Sequence, residues 1–208
     1  MKQENSFSRK IIFAGIVALF LLAVFILVNY YLSLRNLHQT TDPRAGVVRE
    51  KLPVALEGKG KRLAFHDFES GNPADTSSHL AIPGHGGKQA LKVSKGNQFS
   101  PGLWIKFKDL NPGDSSWIRA TGWIRFSCKP SEVKCNLVVT CNHNGINYKY
   151  IYISLENENL VTGQWNRVSI DYYIPQAPDR EDVLQAYFWY RGMGEVLVDD
   201  IDIEYYTY

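Results

Sequence analysis

One long apolar run near the N-terminus constrains this chain more than any other feature. "IIFAGIVALFLLAVFILV", residues 11–28, has no charged or strongly polar side chain, and residues 29–32 extend it further. That length crosses a bilayer as a single helix. A buried helix of a globular domain would show a polar face every 3.6 residues, and this run shows none. The sequence therefore predicts a transmembrane α-helix over residues 11–32.

A cleavable signal peptide is the main alternative for the same run. Its apolar region would be shorter, and small residues in an A-x-A pattern would follow it. Here the bulky residues Tyr30, Tyr31 and Leu32 follow instead. This difference favours an uncleaved signal-anchor.

Basic residues around the run indicate its orientation only weakly. Three of them lie within residues 1–10, and the nearest ones after the run are Arg35 and Arg44. Because basic residues favour the cytoplasmic side, residues 1–10 are predicted to be a cytoplasmic N-terminus. The remainder is then expected outside the cytoplasmic (inner or plasma) membrane, contacting the lipid bilayer through helix 11–32. The opposite topology stays open.

The residue composition changes twice after the apolar run. Residues 33–61 mix charge, proline and glycine, which predicts a stalk or linker. From residue 62 onward, short β-branched and aromatic runs alternate with Gly, Pro, Asn and Asp clusters. Residues 62–208 are therefore predicted to be an all-β sandwich of two antiparallel sheets. The predicted strands span residues 62–68, 89–93, 102–107, 118–128, 134–142, 148–155, 166–173, 185–190 and 195–205.

Length and charge limit the classes of function. A chain of 208 residues with 45% hydrophobic content can supply one ordinary domain in addition to the apolar run. The net charge of +2 gives no bulk electrostatic attraction to nucleic acid, so no nucleic-acid partner is expected.

Period-two alternation divides four of the predicted strands into an apolar face and a mixed face. In residues 166–173, for example, Val168, Ile170 and Tyr172 share one side, because successive side chains point to opposite faces of a sheet. The mixed sides combine aromatic rings with polar or charged groups. Their members are the candidate ligand-binding residues: Trp123, Arg125, Tyr148, Tyr150, Tyr152, Arg167, Asp171, Tyr173, Tyr187, Trp189 and Arg191.

Such a mixture suits a carbohydrate. A sugar ring has an apolar face that stacks on Trp or Tyr and a hydroxyl edge that bonds to polar side chains. Two alternatives stay open. The rings can simply cover the sheet, since Tyr and Trp are good strand formers. They can also bind a protein, because Tyr, Trp and Arg dominate protein-interface hot spots.

Four segments together resemble a known group of proteins. They are "FHDFESG" at 65–71, "GGKQALKVS" at 86–94, "GQWNRVSIDYYIP" at 163–175 and "AYFWYRGMGEVLVDDIDI" at 186–203. In that order they are similar to landmarks of jelly-roll carbohydrate-binding modules, the galactose-binding-like β-sandwiches. The resemblance implies a jelly-roll fold and a carbohydrate-binding role. Fold analogy alone does not establish activity.

The resemblance also implies a structural calcium ion that joins the first and last strands. Carried over to this chain, Glu69 and Asp199 would supply carboxylates, while Asp67 and Lys88 would supply main-chain oxygens. Oxygen ligands of this kind suit calcium. A metal-free alternative is that Asp199 and its neighbour Asp200 cap a turn or bulge.

Catalysis is not expected. The acids Asp199, Asp200, Asp202 and Glu204 lie along one predicted strand, which does not place two carboxylates across a substrate cleft. The sequence contains no H-E-x-x-H, G-x-S-x-G or P-loop motif.

The three cysteines are expected to be free thiols rather than metal ligands. Cys135 and Cys141 alternate with polar positions and share an apolar face with Leu137 and Val139. A disulfide between Cys128 and Cys135 is the local alternative.

The sequence thus predicts a membrane-anchored, extracytoplasmic and non-catalytic carbohydrate-binding module. The alternative is a protein-interaction or scaffolding domain of an envelope complex, with a membrane protein as its partner through the same aromatic face.

Overall fold

The structure is a computed structural model and describes Val24 and residues 49–69, 80–81 and 84–208. Apart from Val24, the predicted transmembrane helix lies outside these residues, as does the predicted stalk before residue 49. Within the described ranges, no helix has the length and apolar character needed to cross a membrane.

Ten strands account for about half of the described residues. A short helix, α1, spans Phe107–Leu110, and 3-10 turns occur at Val54–Leu56, Pro130–Glu132 and Leu155–Asn157. The strands are β1 (Lys61–His66), β2 (Leu80–Ala81), β3 (Ala90–Ser94), β4 (Leu103–Lys106), β5 (Trp117–Arg125), β6 (Cys135–His143), β7 (Ile146–Ser154), β8 (Asn166–Tyr173), β9 (Val183–Tyr190) and β10 (Glu195–Tyr206).

The strands form two antiparallel sheets. Sheet 1 has the order β2-β3-β10-β5-β8, and β1 also pairs with β10; sheet 2 has the order β4-β9-β6-β7. From β3 to β10, successive strands alternate between the sheets except for the β6–β7 hairpin, which stays within sheet 2. This connectivity is that of a jelly roll. The predicted all-β class and the two antiparallel sheets are confirmed.

The core lies between the two sheets and follows the predicted alternation. Val168, Ile170 and Tyr172 of β8 are buried, with exposures of 6%, 4% and 0%. They pack in the same cluster as residues of sheet 2, including Phe188 of β9. The prediction that Cys135 and Cys141 lie on the apolar face is confirmed, because both belong to this cluster.

Differences from the predicted strands are local. The short strand β2 was not predicted, since two residues are too few to show a period. Phe107 was assigned to a strand but begins α1, where its ring is buried. The helix ends at Asn111, which adopts a left-handed conformation with φ 46°.

Residues 49–60, which fall in the predicted stalk, pack against the sandwich. Leu52 and Leu56 are 1% and 2% exposed and form a small cluster with Tyr206. The backbone N–H of Leu52 donates to Asp171 Oδ2 at 2.8 Å. The folded part of the chain thus reaches at least to residue 49.

Candidate ligand-binding cleft

The outward side of sheet 2 carries a cleft of about 470 Å³. This is within the usual range for small-ligand sites, roughly 300–1,000 Å³. Five of the eleven predicted ligand-binding residues line it together. The complete lining is Phe99, Asn136, Asn147, Tyr150, Tyr152, Tyr187, Trp189 and Arg191.

The strand register builds the floor of this cleft from β6. Asn136 lies beside Trp189, and Val138 lies between Tyr152 of β7 and Tyr187 of β9. Val138 is fully buried although it lies outside the central core cluster. The rings on the two neighbouring strands therefore cover β6 and leave their outer faces and edges available.

Phe99 is held against the cleft by backbone hydrogen bonds to the edge of β9. Tyr190 N donates to Gln98 O at 2.8 Å, and Ser100 N donates to Phe188 O at 3.1 Å. The ring of Phe99 is parallel to that of Trp189 and meets Tyr187 edge-on, with centroid distances of 6.2 and 5.7 Å. A loop residue thus completes the row of rings.

Two tyrosines on β7 form the opposite side of the cleft. The Tyr150 and Tyr152 rings lie 5.8 Å apart at an angle of 53°. Burial raises the pKa of Tyr150 and of Tyr187 above the ordinary value. Both hydroxyls therefore stay protonated at neutral pH and can donate or accept hydrogen bonds.

Arg191 lies at one end of the cleft, over the aromatic ring of Trp189. Its guanidinium carbon is 4.8 Å from the ring centroid, within the range of a cation–π interaction. With the Asn136 amide oriented to donate to Cys135 O, the Asn136 oxygen accepts from Arg191 Nη2 at 3.3 Å. The cationic group is thus positioned by two neighbours, neither of which is charged.

A second cleft of about 410 Å³ adjoins the first. The two share Phe99 and Tyr187, and the second continues over β4 to Trp104, which is 61% exposed. The two clefts together give a continuous path of rings across sheet 2.

The side chains of the first cleft supply rings, amides and one guanidinium. Its eight lining residues include aromatic rings, two amides and one guanidinium, but no Asp, Glu, His, Cys or Ser, in the described part of the chain. General acid–base hydrolysis of a glycosidic bond uses two carboxylates. The lining offers stacking surfaces and hydrogen-bond donors and acceptors instead.

Trp123, Arg125 and Arg167 lie on sheet 1 and do not reach this cleft. The imidazole of His85 stacks on Trp123 with a centroid distance of 3.8 Å and an angle of 16°. Arg125 Nε donates to Gly163 O at 2.9 Å, and Arg167 is exposed on β8. The ring of Trp123 is thus covered by the protein itself on one face.

Asp171 and Tyr173 are also on sheet 1, where residues 49–60 pack. Asp171 accepts hydrogen bonds from Arg119 Nε at 2.6 Å and from the Leu52 amide. Glu50 accepts from the Tyr173 amide at 2.5 Å. These contacts hold residues 49–60 against sheet 1. The Asp171 carboxylate is therefore already hydrogen-bonded within the protein.

Tyr148 was placed on the outward face of β7, and this assignment was wrong. A bulge in the β6–β7 pairing, between Cys141 and Asn142, shifts the register there. Tyr148 packs against the core cluster, and its hydroxyl is buried. Period-two alternation cannot anticipate a bulge, because the pattern changes phase at the extra residue.

The acids of β10 divide at a second bulge, between Asp199 and Asp202. On the outward side, Asp202 pairs with Arg62 at 2.6 Å and Glu204 accepts from Tyr206 Oη at 2.7 Å. At the bulge, Asp200 has a left-handed φ of 45°. The alternation therefore explains Asp202 and Glu204 but not the buried Asp199.

Asp199 is 1% exposed and accepts backbone hydrogen bonds from both sides of its carboxylate. His85 N donates to Oδ2 at 2.6 Å, and Asp200 N donates to Oδ1 at 2.8 Å. Burial raises the pKa of the Asp199 carboxyl to about 6, although these amide hydrogen bonds oppose the rise. The side chain ties β10 to the segment that precedes β3.

Hydrogen bonds connect the residues suggested for calcium to the loop over residues 85–89 and to one another. Glu69 Oε1 accepts from the amides of Lys88 and Gln89 at 2.5 Å each, and Asp67 Oδ1 accepts from the Glu69 amide at 3.1 Å. Among the described residues, no three His, Cys, Asp or Glu side chains converge as a metal-ligand set. The carboxylates here face N–H donors, which favours the metal-free alternative, while the calcium ion implied by the resemblance stays a prediction.

Sequence reasoning missed three lining residues of the first cleft and the exposed Trp104 of the second. Phe99 lies outside every predicted strand, and Asn136 and Asn147 are short polar residues without a distinctive pattern. Trp104 had a usable signal, because it alternates with Leu103 and Ile105 in a predicted strand.

Comparisons with known proteins give similarity at the level of structure. No protein-family model matches the chain. No curated protein sequence matches it either.

Two xylan-binding domains of Paenibacillus barcinonensis Xyn10C are similar solved structures. CBM22-1 has a TM-score of 0.48 at 17% identity, covering 72% of this chain and 97% of that one. CBM22-2 has a TM-score of 0.45 at 18% identity, covering 68% and 98%. The C-terminal family 22 carbohydrate-binding module of Clostridium thermocellum Xyn10B has a TM-score of 0.44 at 11% identity, covering 69% and 92%. Similarity at this level carries no inference about the ligand of this chain.

Proposed function

We propose that the sandwich is a non-catalytic carbohydrate-binding module and that the cleft on sheet 2 holds the glycan. The observation that carries this proposal is the combination of rings and polar groups in one cleft. Tyr150, Tyr152, Tyr187 and Trp189 come from two strands that flank β6, and Asn136 and Arg191 lie among them. Stacking and hydrogen bonding are the two interactions that a sugar ring needs at once.

The ligand in this proposal is a chain of several sugar units rather than a single sugar. The adjoining cleft that ends at Trp104 supports this choice, because it continues the line of rings beyond Phe99 and Tyr187. Aromatic platforms spaced along one surface suit successive units of a polysaccharide.

The module is proposed to act outside the cytoplasmic membrane, anchored by residues 11–32. The uncharged run supports a transmembrane span, and the basic residues before it favour a cytoplasmic N-terminus. Alkaline extraction of membranes tests the anchoring, and protease added to intact cells tests the topology. Release of the protein by alkali would reject the anchor.

A glycan array probed with the full chain in detergent tests carbohydrate binding. We expect retention on a subset of polysaccharides and loss of that retention in Trp189→Ala. Absence of binding across plant, bacterial and animal glycans would reject the proposal. Formation of a membrane-protein complex that no sugar inhibits would then favour the alternative of a protein-interaction domain.

A further inference from the structure

We infer that the Trp189 end of the cleft selects an acidic glycan, one that carries a uronic-acid carboxylate. This inference rests on the proposed function and adds the class of sugar. It is argued from the charges in and around the cleft.

The first step is the sign of the charge. Arg191 is the charged residue among the eight that line the cleft, and no carboxylate accompanies it in the described part of the chain. Lys134 lies beside it, since Arg191 N donates to Lys134 O at 2.7 Å. Glu156 is the nearby acid, and it forms an ion pair with Lys134. Arg191, Lys134 and Glu156 together carry one net positive charge beside this end of the cleft.

The second step is the state of the guanidinium. Arg49, Arg62 and Arg119 each pair with a carboxylate of the protein. The Arg191 side chain instead contacts the face of Trp189 and the amide of Asn136, both neutral. Arg191 makes no direct ion pair among the described residues, and Glu156, its electrostatic neighbour, is already paired with Lys134. The guanidinium can therefore bind a ligand carboxylate with two parallel hydrogen bonds.

The third step is the relation between charge and stacking. The guanidinium lies over the ring of Trp189, so a sugar against Phe99, Tyr187 or the free edge of Trp189 meets the cation at its rim. In a uronic acid the carboxylate projects from the ring at such a rim. A neutral sugar would stack in the same place without using the charge.

The test compares each acid with its own methyl ester. Oligomers of galacturonate, mannuronate and glucuronate are titrated into the full chain in detergent, each beside the same oligomer with its carboxylates esterified, together with the glycan array. We expect at least one acid to bind about tenfold more tightly than its ester, the effect of roughly one charge-assisted hydrogen bond. We expect Arg191→Gln to remove that difference, so that the acid and its ester bind this variant with equal affinity.

Arg180→Gln is the matched control, because it removes an exposed positive charge that does not belong to the cleft lining. It should leave the tenfold preference intact. Equal binding of acids and esters, or binding of neutral glycans alone, overturns the inference while the proposed function stands. Absence of binding to every glycan overturns both.

Discussion

The ring of Phe99 lies parallel to the ring of Trp189, with 7° between the planes and 6.2 Å between the centroids. One residue comes from the segment before β4 and the other from β9. The pair closes the cleft at the edge where the two neighbouring sites meet. The residues of this surface give separable predictions about binding and stability.

Replacing Trp189 should weaken glycan binding far more than replacing Trp123. Trp189 lines the cleft, whereas Trp123 lies on the other sheet beneath His85. Loss of the Trp189 ring is expected to cost ~0.5–1.5 kcal/mol beyond the area that it buries, or at least about twofold to tenfold in Kd. Affinity electrophoresis with a binding polysaccharide measures both variants. A larger loss of glycan affinity in Trp123→Ala would show that the binding site lies on sheet 1.

Replacing Trp104 should reduce the affinity for long oligosaccharides and leave that for short ones unchanged. Trp104 is 61% exposed and lines only the second cleft. A short ligand held between Tyr150 and Trp189 does not reach it. Titrations with a series of chain lengths check this expectation. A uniform loss at every length would show that Trp104 acts on the fold or on the first cleft.

Leu52→Ala should loosen the segment over residues 49–60. Leu52 is 1% exposed, and truncation of a buried leucine costs ~2–5 kcal/mol. Limited proteolysis should cut near the segment sooner, and the free energy of unfolding should fall. Val54→Ala is the control in the same segment, because Val54 is 74% exposed. Equal sensitivity of the two variants would contradict the packing described for Leu52.

Calcium should have little effect on the melting temperature, because the Glu69 and Asp199 carboxylates face backbone amides. Thermal melts with EDTA and with added calcium measure this. A rise in Tm with calcium that Asp199→Ala abolishes would instead establish the ion implied by the resemblance to carbohydrate-binding modules. Arg62→Ala, which leaves these carboxylates in place, is the control for general loss of stability.

The burial of Asp199 predicts a pH dependence in the presence of EDTA. Its folded-state pKa is raised from 3.8 to about 6, so the folded state holds this proton more tightly than the unfolded state does. Its contribution to stability is present below pH 3.8 and is lost as pH rises to about 6. Denaturant unfolding across that window should lose up to ~3 kcal/mol from this group. Asp199→Asn should lack the slope, and an unchanged slope in that variant would rule out Asp199 as its source.

The strands and their buried faces could be predicted from the sequence, because period-two alternation shows which side of a strand is apolar. Val168, Ile170 and Tyr172 could be assigned to the core in this way. The same pattern could not say that strands sharing a mixed face belong to different sheets. Trp123 and Trp189 therefore appeared equivalent, although one lies on β5 and the other on β9.

Other parts of the site depend on contacts between residues distant in sequence. Phe99 is placed by hydrogen bonds to the end of β9, and Tyr148 is turned inward by a bulge. Neither feature can be recognised from the period-two pattern of the sequence. The short apolar cluster around Leu52 was equally hidden, because two leucines in a charged segment do not indicate which surface covers them.

The packing of residues 49–60 has a mechanical consequence if residues 11–32 tether the module. Tension on a bound polymer would pass through this segment, which is held by the leucine cluster, the Arg49–Glu158 ion pair, the Asp171 hydrogen bond and the Glu50 bonds. Because these contacts lie outside the hydrogen-bonded sheets, we expect them to break before the paired strands separate. Twelve released residues would lengthen the tether by roughly 40 Å while the grip on the polymer is kept. Release of the segment would then lower the force that a moving ligand exerts on the anchored protein.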